Sequence, residues 1–312
     1  MAFTRKHLLG TQDLTRDEIE HILENAQVMK HIINQNSKKT PHLQGKSILT
    51  LFYENSTRTR MSFELAAKYM SASAANISAS SSSVTKGETL IDTGVTLDMM
   101  GTDLIIIRHP MAGAPHLLSQ HIKASVINAG DGYNEHPTQA LLDMYSILEH
   151  KHRIEGLKVA IVGDVFHSRV ARSNIWAMNT MGAHVTICAP STLIPMELEK
   201  ANVEVTYDIK KALKDADVVM ALRIQKERLE SGYFPSIREY SQIFGINGEN
   251  IKQAKKDVLI MHPGPINRGV ELTSDLADSA HSLIQEQVTN GVAVRMALLY
   301  LMTRRSLNEI IN

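Results

Sequence analysis

A chain of 312 residues exceeds the usual size of one domain, so two domains are the first expectation. With 43% hydrophobic and 21% charged residues, it has the composition of an ordinary globular protein with room for real cores. Basic and acidic residues balance at 33 each, which argues against a nucleic-acid-coating or polybasic membrane surface. No apolar stretch in the sequence approaches the roughly 20 residues that span a membrane.

The sequence also indicates a compartment. Residues 1–6 lack the apolar core of a signal peptide, and the one cysteine, Cys188, has no partner for an internal disulfide. Cys188 lies in an apolar run without the spacing of a base or a metal ligand, so we interpret it as a small buried hydrophobe. We therefore expect a cytoplasmic protein.

The first half of the chain alternates predicted strands and helices. The pattern predicts, in order, a strand at 46–53, a helix at about 56–70, a strand at 75–79, a helix around 89–100, and strands at 104–107 and 124–128. An amphipathic helix is predicted from about 137 to 150. Residues 71–83 contain seven serines, a composition typical of a flexible surface loop.

The second half repeats the alternation. It predicts a strand at 158–163, a helix to about 181, strands near 185–188, 203–207, 218–222 and 258–261, and one long closing helix at 279–303. Such alternation favours parallel sheets covered on both faces. The predicted fold is α/β, with two doubly wound parallel-sheet domains joined by long interdomain helices and an active site in the cleft. The predicted domains are 1–150 with a C-terminal helix at about 285–312, and 151–284.

Parallel sheets bind ligands outside the carboxyl ends of their strands, so the residues at those ends are the candidate site. After the first strand, the sequence Ser56-Thr57-Arg58-Thr59-Arg60 opens a helix. Free backbone N–H groups at a helix start favour a phosphate, and the planar fork of Arg58 grips two oxygens at once. Arg60 is equally well explained as a solvated helix residue.

The next strand ends bring further polar residues. Arg108 directly follows four apolar residues, where a ligand at the sheet edge or a structural ion pair would explain it. His136 precedes Pro137, so we expect it outside the helical turn at the helix mouth, with Gln139 one turn on. The Pro263-Gly264-Pro265 loop is short of N–H donors, and its carbonyls suit a substrate NH2 group. Whether Gly264–Pro265 is cis is left open.

These motifs resemble those of the aspartate/ornithine carbamoyltransferase family along essentially the whole chain. Ser56-Thr57-Arg58-Thr59-Arg60 and His136-Pro137-Thr138-Gln139 are similar to the family's two carbamoyl-phosphate signatures. The resemblance implies that Ser56, Thr57, Arg58 and Thr59 bind phosphate together with Arg108. It implies that His136, Arg108 and Thr59 polarise the carbamoyl carbonyl. Gln139 and the carbonyls around Gly264 and Pro265 would hold the carbamoyl amine.

Other residues resemble the aspartate branch of the family. Arg169 and Arg223, with Gln225 two residues on, look like that branch's carboxylate-binding residues. Ser82 and Lys86 resemble its mobile loop, which reaches into a neighbouring subunit's site. The resemblance therefore implies a homotrimer with shared active sites. Higher assembly with regulatory or other pathway chains stays open. The ornithine branch has a cysteine in the stretch equivalent to 262–265, and this chain has none there.

The implied reaction transfers the carbamoyl group of carbamoyl phosphate to the α-amine of L-aspartate, giving N-carbamoyl-L-aspartate and phosphate in early pyrimidine biosynthesis. This reaction requires no metal and no cofactor. Ornithine or another amine is the alternative acceptor. A dinucleotide-binding domain is a rival for the second half, but Gly163 is followed by Asp164-Val165-Phe166-His167, without the further glycines that a pyrophosphate needs. A non-catalytic regulatory protein is the third alternative.

Overall fold

The computed structural model describes residues 3–78, 87–224 and 236–303. The chain divides into two compact units, Met1–Leu142 with Val288–Asn312, and Asp143–Gln287. Each unit is built on its own parallel β-sheet with helices between the strands, so the prediction of two parallel-sheet α/β domains is confirmed. Across the described ranges, no helix combines the length and the apolar character that a membrane crossing requires.

The first unit contains a parallel sheet. Its strands are β1 (Ser47–Phe52), β2 (Ser73–Ser78), β3 (Leu104–His109) and β4 (Ser125–Asp131), in the spatial order β2-β1-β3-β4. The strands β1, β3 and β4 are largely buried, whereas the edge strand β2 is mostly exposed. Around them lie α1 (Arg16–Ile33), α2 (Thr57–Tyr69), α3 (Leu90–Met99), α4 (Ala114–Ser119), and parts of α5 (Pro137–Lys151) and α10 (Ile284–Thr303). The strand order reverses between β1 and β3, and such a switch point is where ligands bind in this class of sheet.

The second unit repeats this design. Its sheet has the order β7-β6-β5-β8-β9, from strands β5 (Lys158–Val162), β6 (His184–Cys188), β7 (Glu204–Thr206), β8 (Val218–Ala221) and β9 (Leu259–Met261). The helices are α6 (Arg169–Thr180), α7 (Ile209–Leu213), α8 (Ile237–Phe244) and α9 (Ser274–Ala277), with short 3-10 turns at Ser191–Leu193, Leu198–Ala201 and Asn250–Gln253. The switch point of this sheet lies between β5 and β8.

Two predictions of local structure need correction. The closing helix begins at Ile284, not at residue 279, because Ser282 forms a bridge with Ile260 of β9, and Leu283 donates its N–H to the carbonyl of Ile260 at 2.9 Å. The serine-rich stretch is not a loop over its first part, since Ser73–Ser78 form β2 beside β1. The rest of that stretch, residues 79–83, lies outside the described residues.

The helix α1 was not among the predicted elements, although Thr15 and Glu18 form a capping box at its start.

Cys188 is fully buried on β6, and burial raises the pKa of its thiol to about 12. The interpretation of Cys188 as a buried hydrophobe therefore agrees with its surroundings.

Candidate active site

The start of α2 has the features of an anion-binding helix terminus. Ser56 is the N-cap residue in extended geometry, and its side chain makes no capping hydrogen bond to the helix. No acidic residue lies in the first turn, where Thr57 and Arg58 are exposed and Thr59 is buried. The N–H groups, hydroxyls and cation of this turn are chemically suited to phosphate oxygens. Arg60 is exposed, as its interpretation as a solvated residue expects.

Arg108 lies at the end of β3, in register with Phe52 of β1. Its Nε donates to Glu54 at 3.1 Å, and its Nη1 donates to the carbonyl of Ala129 at 3.4 Å. Arg108 therefore does form the ion pair that was one of its two explanations from the sequence. It does not remove Arg108 from the site, because Glu54 and Ala129 belong to the carboxyl ends of the two neighbouring strands.

His136 is buried and precedes α5, which begins at Pro137 as predicted. Its carbonyl accepts the N–H groups of Gln139 and Ala140 at 3.0 and 3.3 Å, so it acts as the backbone cap of the helix. Glu135, the residue before it, accepts hydrogen bonds from the N–H and the hydroxyl of Thr11, both at 2.7 Å. The N-terminal segment thus fixes the loop that presents His136.

A buried arginine connects the two helices that carry these motifs. Arg295 of α10 donates to the hydroxyl of Ser62 on α2 at 2.7 Å and to the hydroxyl of Thr138 on α5 at 3.4 Å. Its guanidinium also lies 5.0 Å from the ring centroid of Phe63. Arg295 therefore joins the second turn of α2 to the first turn of α5. It also places a permanent positive charge in the core of the first unit.

In the second unit, Arg169 is the first residue of α6, immediately after the loop that follows β5. The side chain of Arg169 is buried. The loop before it is closed by the carboxylate of Asp164, whose Oδ1 accepts from the N–H of His167 at 3.1 Å and contacts the Nδ1 of His167 at 2.9 Å. The hydroxyl of Ser168 then caps the helix through the N–H of Ala171.

Arg223 and the Pro263-Gly264-Pro265 loop follow the two neighbouring strands β8 and β9. Arg223 is half-buried, and Ile224 after it accepts a hydrogen bond from the side chain of Asn267 at 3.1 Å. Gly264 has a φ of 62°, which suits glycine, and its peptide bond to Pro265 is cis. The question that the sequence left open is thereby answered.

Each sheet therefore gathers its predicted site residues at neighbouring strand ends. In the first unit these ends belong to β1, β3 and β4, and in the second to β5, β8 and β9. Ser82, Lys86 and Gln225 lie outside the described residues. Sequence reasoning missed Glu54, Asp164 and Arg295. A signal existed for Arg295, since it interrupts an apolar helix, and for Glu54, since it directly follows a strand.

Comparison with known proteins agrees with this arrangement. The model of the carbamoyl-phosphate-binding domain of aspartate/ornithine carbamoyltransferases matches residues 6–149, and the model of the Asp/Orn-binding domain matches residues 155–302. The chain belongs to the aspartate/ornithine carbamoyltransferase family. This confirms the resemblance that the sequence motifs indicated.

Individual relatives narrow the comparison to one branch. The chain is 65% identical over 312 residues to the aspartate carbamoyltransferase catalytic subunit of Acetivibrio thermocellus, covering 100% of both chains. It is 65% identical over 311 residues to the subunit of that name from Ruminiclostridium cellulolyticum, covering 99% of each. Among solved structures, aspartate transcarbamoylase from Trypanosoma cruzi in complex with carbamoyl phosphate and aspartate superposes with a TM-score of 0.85 at 29% identity, covering 95% of this chain and 96% of that one.

The ornithine branch shares the fold. Ornithine carbamoyltransferase from Pyrococcus furiosus superposes with a TM-score of 0.86 at 32% identity, covering 98% of this chain and 100% of that one. Backbone similarity therefore does not separate the two branches. The sequence identity to relatives named aspartate carbamoyltransferase makes that distinction.

Proposed function

We propose that this chain is the catalytic chain of an aspartate carbamoyltransferase. It transfers the carbamoyl group of carbamoyl phosphate to the α-amine of L-aspartate, giving N-carbamoyl-L-aspartate and phosphate. The reaction is an early step of pyrimidine biosynthesis, and we expect it in the cytoplasm. Support comes from the identity to the relatives of that name and from the chemistry at the strand ends.

We assign the phosphate and the carbonyl of carbamoyl phosphate to the first unit. The hydroxyls and N–H groups at the start of α2 bind the phosphate, with the cationic side chains Arg58 and Arg108 offsetting its charge. His136, Arg108 and Thr59 polarise the carbamoyl carbonyl. Gln139, together with the carbonyls of Gly264 and Pro265, holds the carbamoyl amine.

We assign the two carboxylates of aspartate to cations of the second unit. Arg169 and Arg223 are permanently charged, and each follows a strand at the switch point of its sheet. Gln225 and Lys86 complete this set by resemblance to the aspartate branch. The family's ornithine acceptor carries only one carboxylate and a second amine, so two guanidinium groups favour aspartate.

The chemistry requires positioning and charge stabilisation. The deprotonated α-amine attacks the carbamoyl carbon, a tetrahedral intermediate forms, and the bond to phosphate breaks. His136 serves as a donor to the developing oxyanion, and the departing phosphate takes the amine proton. The guanidinium groups offset the mutual repulsion of the phosphate dianion and the aspartate carboxylates.

The observation that carries the proposal is the placement of the α2 start, Arg108 and His136 at three neighbouring strand ends of one sheet. The direct test is a coupled measurement of phosphate release with carbamoyl phosphate and either L-aspartate or L-ornithine. We expect release with aspartate and none above background with ornithine. Release with ornithine alone would assign the chain to the other branch.

We further propose a homotrimer whose active sites are shared between subunits through Ser82 and Lys86. The first unit supports assembly because Val95, Met99 and Met100 expose 40%, 82% and 74% of their surface around one end of α3. Sharing is tested by mixing inactive Arg58→Ala and Lys86→Ala chains. Activity should return in the hybrids, and its absence despite demonstrated subunit exchange would contradict a shared site.

A further inference from the structure

Buried polar groups form a hydrogen-bonded chain inside the second unit. The side-chain amide of Asn174, on α6, donates to Asp143 Oδ2 at 2.9 Å. The side-chain amide of Gln287, on α10, donates to Asp143 Oδ1 at 2.7 Å. The Oε1 of Gln287 accepts the backbone N–H of His262 at 3.1 Å. All four residues are buried, so each hydrogen bond is formed away from water.

The chain continues beyond His262. Its Nδ1 accepts the N–H of Gly264 at 2.8 Å, and its Nε2 lies 3.1 Å from Glu271 Oε1. Glu271 also accepts the backbone N–H of Asn267 at 2.6 Å and its side-chain amide at 3.2 Å. That amide also donates to the carbonyl of Ile224 at 3.1 Å. The network therefore runs from α6 to the segment that carries Arg223.

The direction of every hydrogen bond in this chain is determined. Because Nδ1 of His262 accepts from Gly264, its Nε2 carries the proton and donates to Glu271. Because Gln287 accepts from a backbone N–H through Oε1, its amide nitrogen must face Asp143. Asp143 therefore accepts a hydrogen bond from an amide on each side. A change of one donor or acceptor leaves a buried mismatch that no rotation of Gln287 repairs.

We propose that Asp143 and Gln287 are positioning residues for aspartate binding. Through this buried chain they hold the Pro263-Gly264-Pro265 loop in place beside the segment that carries Arg223, and they join both to α6, which begins at Arg169. The inference rests on the proposed function, because these are the segments to which the acceptor and the carbamoyl amine are assigned there. Neither Asp143 nor Gln287 belongs to the carbamoyl-phosphate or carboxylate-binding set.

The test is a reciprocal exchange of donor and acceptor. In Asp143→Asn, the new amide meets the amide of Gln287, and in Gln287→Glu two carboxylates meet. In the double variant, the amide of residue 143 donates to the carboxylate of residue 287, which still accepts from His262, and the carbonyl of residue 143 still accepts from Asn174. All three hydrogen bonds and the net charge are thus kept.

We expect each single variant to raise KM for aspartate about tenfold, the usual effect of a buried mismatch. KM for carbamoyl phosphate should rise as well, because the loop that the network holds also carries the carbonyls assigned to the carbamoyl amine. The double variant should return KM for aspartate to within about threefold of wild type, since contacting groups are strongly coupled. The matched control is Asn250→Asp, which disturbs the buried hydrogen bond from Asn250 to the carbonyl of Gly245 in the same unit. It should lower stability and leave KM for aspartate unchanged.

Two results would overturn the inference. In the first, the single variants change KM for aspartate no more than the control variant does. In the second, the double variant has a KM for aspartate no lower than that of the worse single variant. Should a single variant not fold, Asn174→Ala removes only the terminal donor and must still raise KM for aspartate. A wild-type protein without aspartate-dependent phosphate release would refute the proposed function itself. If the wild type is active but Asp143→Asn and Gln287→Glu show no coupling in KM for aspartate, only the positioning role is refuted.

Discussion

Arg108 donates through Nε to the carboxylate of Glu54 at 3.1 Å, and the two side chains are only 15% and 14% exposed. This pair joins the ends of β1 and β3 beside the candidate phosphate site. Arg108 therefore has two separable effects, one on the stability of the strand ends and one on the charge presented to substrate. Substitution of the arginine alone mixes these effects, because it leaves the carboxylate of Glu54 without this cation.

A pair of variants separates the two effects. Arg108→Met should lower the free energy of unfolding by about 1–3 kcal/mol, the cost of a poorly paired buried polar group. It should also lower turnover by on the order of 10²–10³, as the loss of one transition-state donor does. Adding Glu54→Gln should restore most of the stability but none of the turnover. Denaturant titration and phosphate release measure the two quantities on the same samples.

His136→Ala should lower turnover by on the order of 10²–10³ without unfolding the protein, because the backbone of His136 rather than its ring caps α5. Carbamoyl phosphate should still bind, since the α2 start and Arg108 are intact. Single-turnover kinetics with an independent binding measurement separate the two steps. Turnover within threefold of wild type would contradict the proposed role of His136 as an oxyanion donor.

The candidate site residues were predictable where a chemically suited side chain follows a recognisable apolar strand. The start of α2, Arg108 and His136-Pro137 each follow an apolar strand, and parallel strands bring such ends to one edge of a sheet. The local pattern overextended the closing helix because residues 279–283 carry no helix breaker. Tertiary hydrogen bonds of Ile260 with His281 and Leu283 keep the end of that segment out of the helix.

The supporting groups were not predictable in the same way. Arg295 and Ser62 are 233 positions apart, so no local pattern links them, and only the packing of α10 beside α2 brings them into contact. The same holds for Gln287, whose amide lies 144 positions from its acceptor Asp143. Sequence motifs indicate which groups meet substrate, whereas the groups that hold those motifs are selected by long-range packing.

His109 should make the protein less stable in mild acid. Burial lowers the pKa of His109, and its Nδ1 accepts the N–H of Met111 at 3.0 Å, which requires an unprotonated nitrogen. The unfolded chain binds this proton near pH 6.5 and the folded chain only at lower pH. The free energy of unfolding therefore falls as the pH drops below about 6.5, until the folded imidazole also protonates.

His109→Asn tests this contribution, because the asparagine Oδ1 takes the place of Nδ1 as acceptor. Between pH 7 and pH 5, the variant should lose less stability than wild type in urea titrations. His116→Asn, at an exposed imidazole of α4, is the matched control and should follow the wild-type profile. Identical pH profiles for wild type and His109→Asn would show that His109 does not contribute to the acid sensitivity.

The exposed methionines of the first unit should report the assembly state. Met99 and Met100 expose 82% and 74% of their surface, and adjoining exposed apolar side chains are a feature of protein–protein interfaces. If these methionines lie in the interface of the proposed trimer, replacing both by lysine buries charges there, so we expect dissociation, measured as molar mass by light scattering. Met196→Lys changes a side chain 94% exposed on the second unit and should leave the mass unchanged. A wild-type mass that the Met99→Lys and Met100→Lys changes do not alter would place the interface elsewhere.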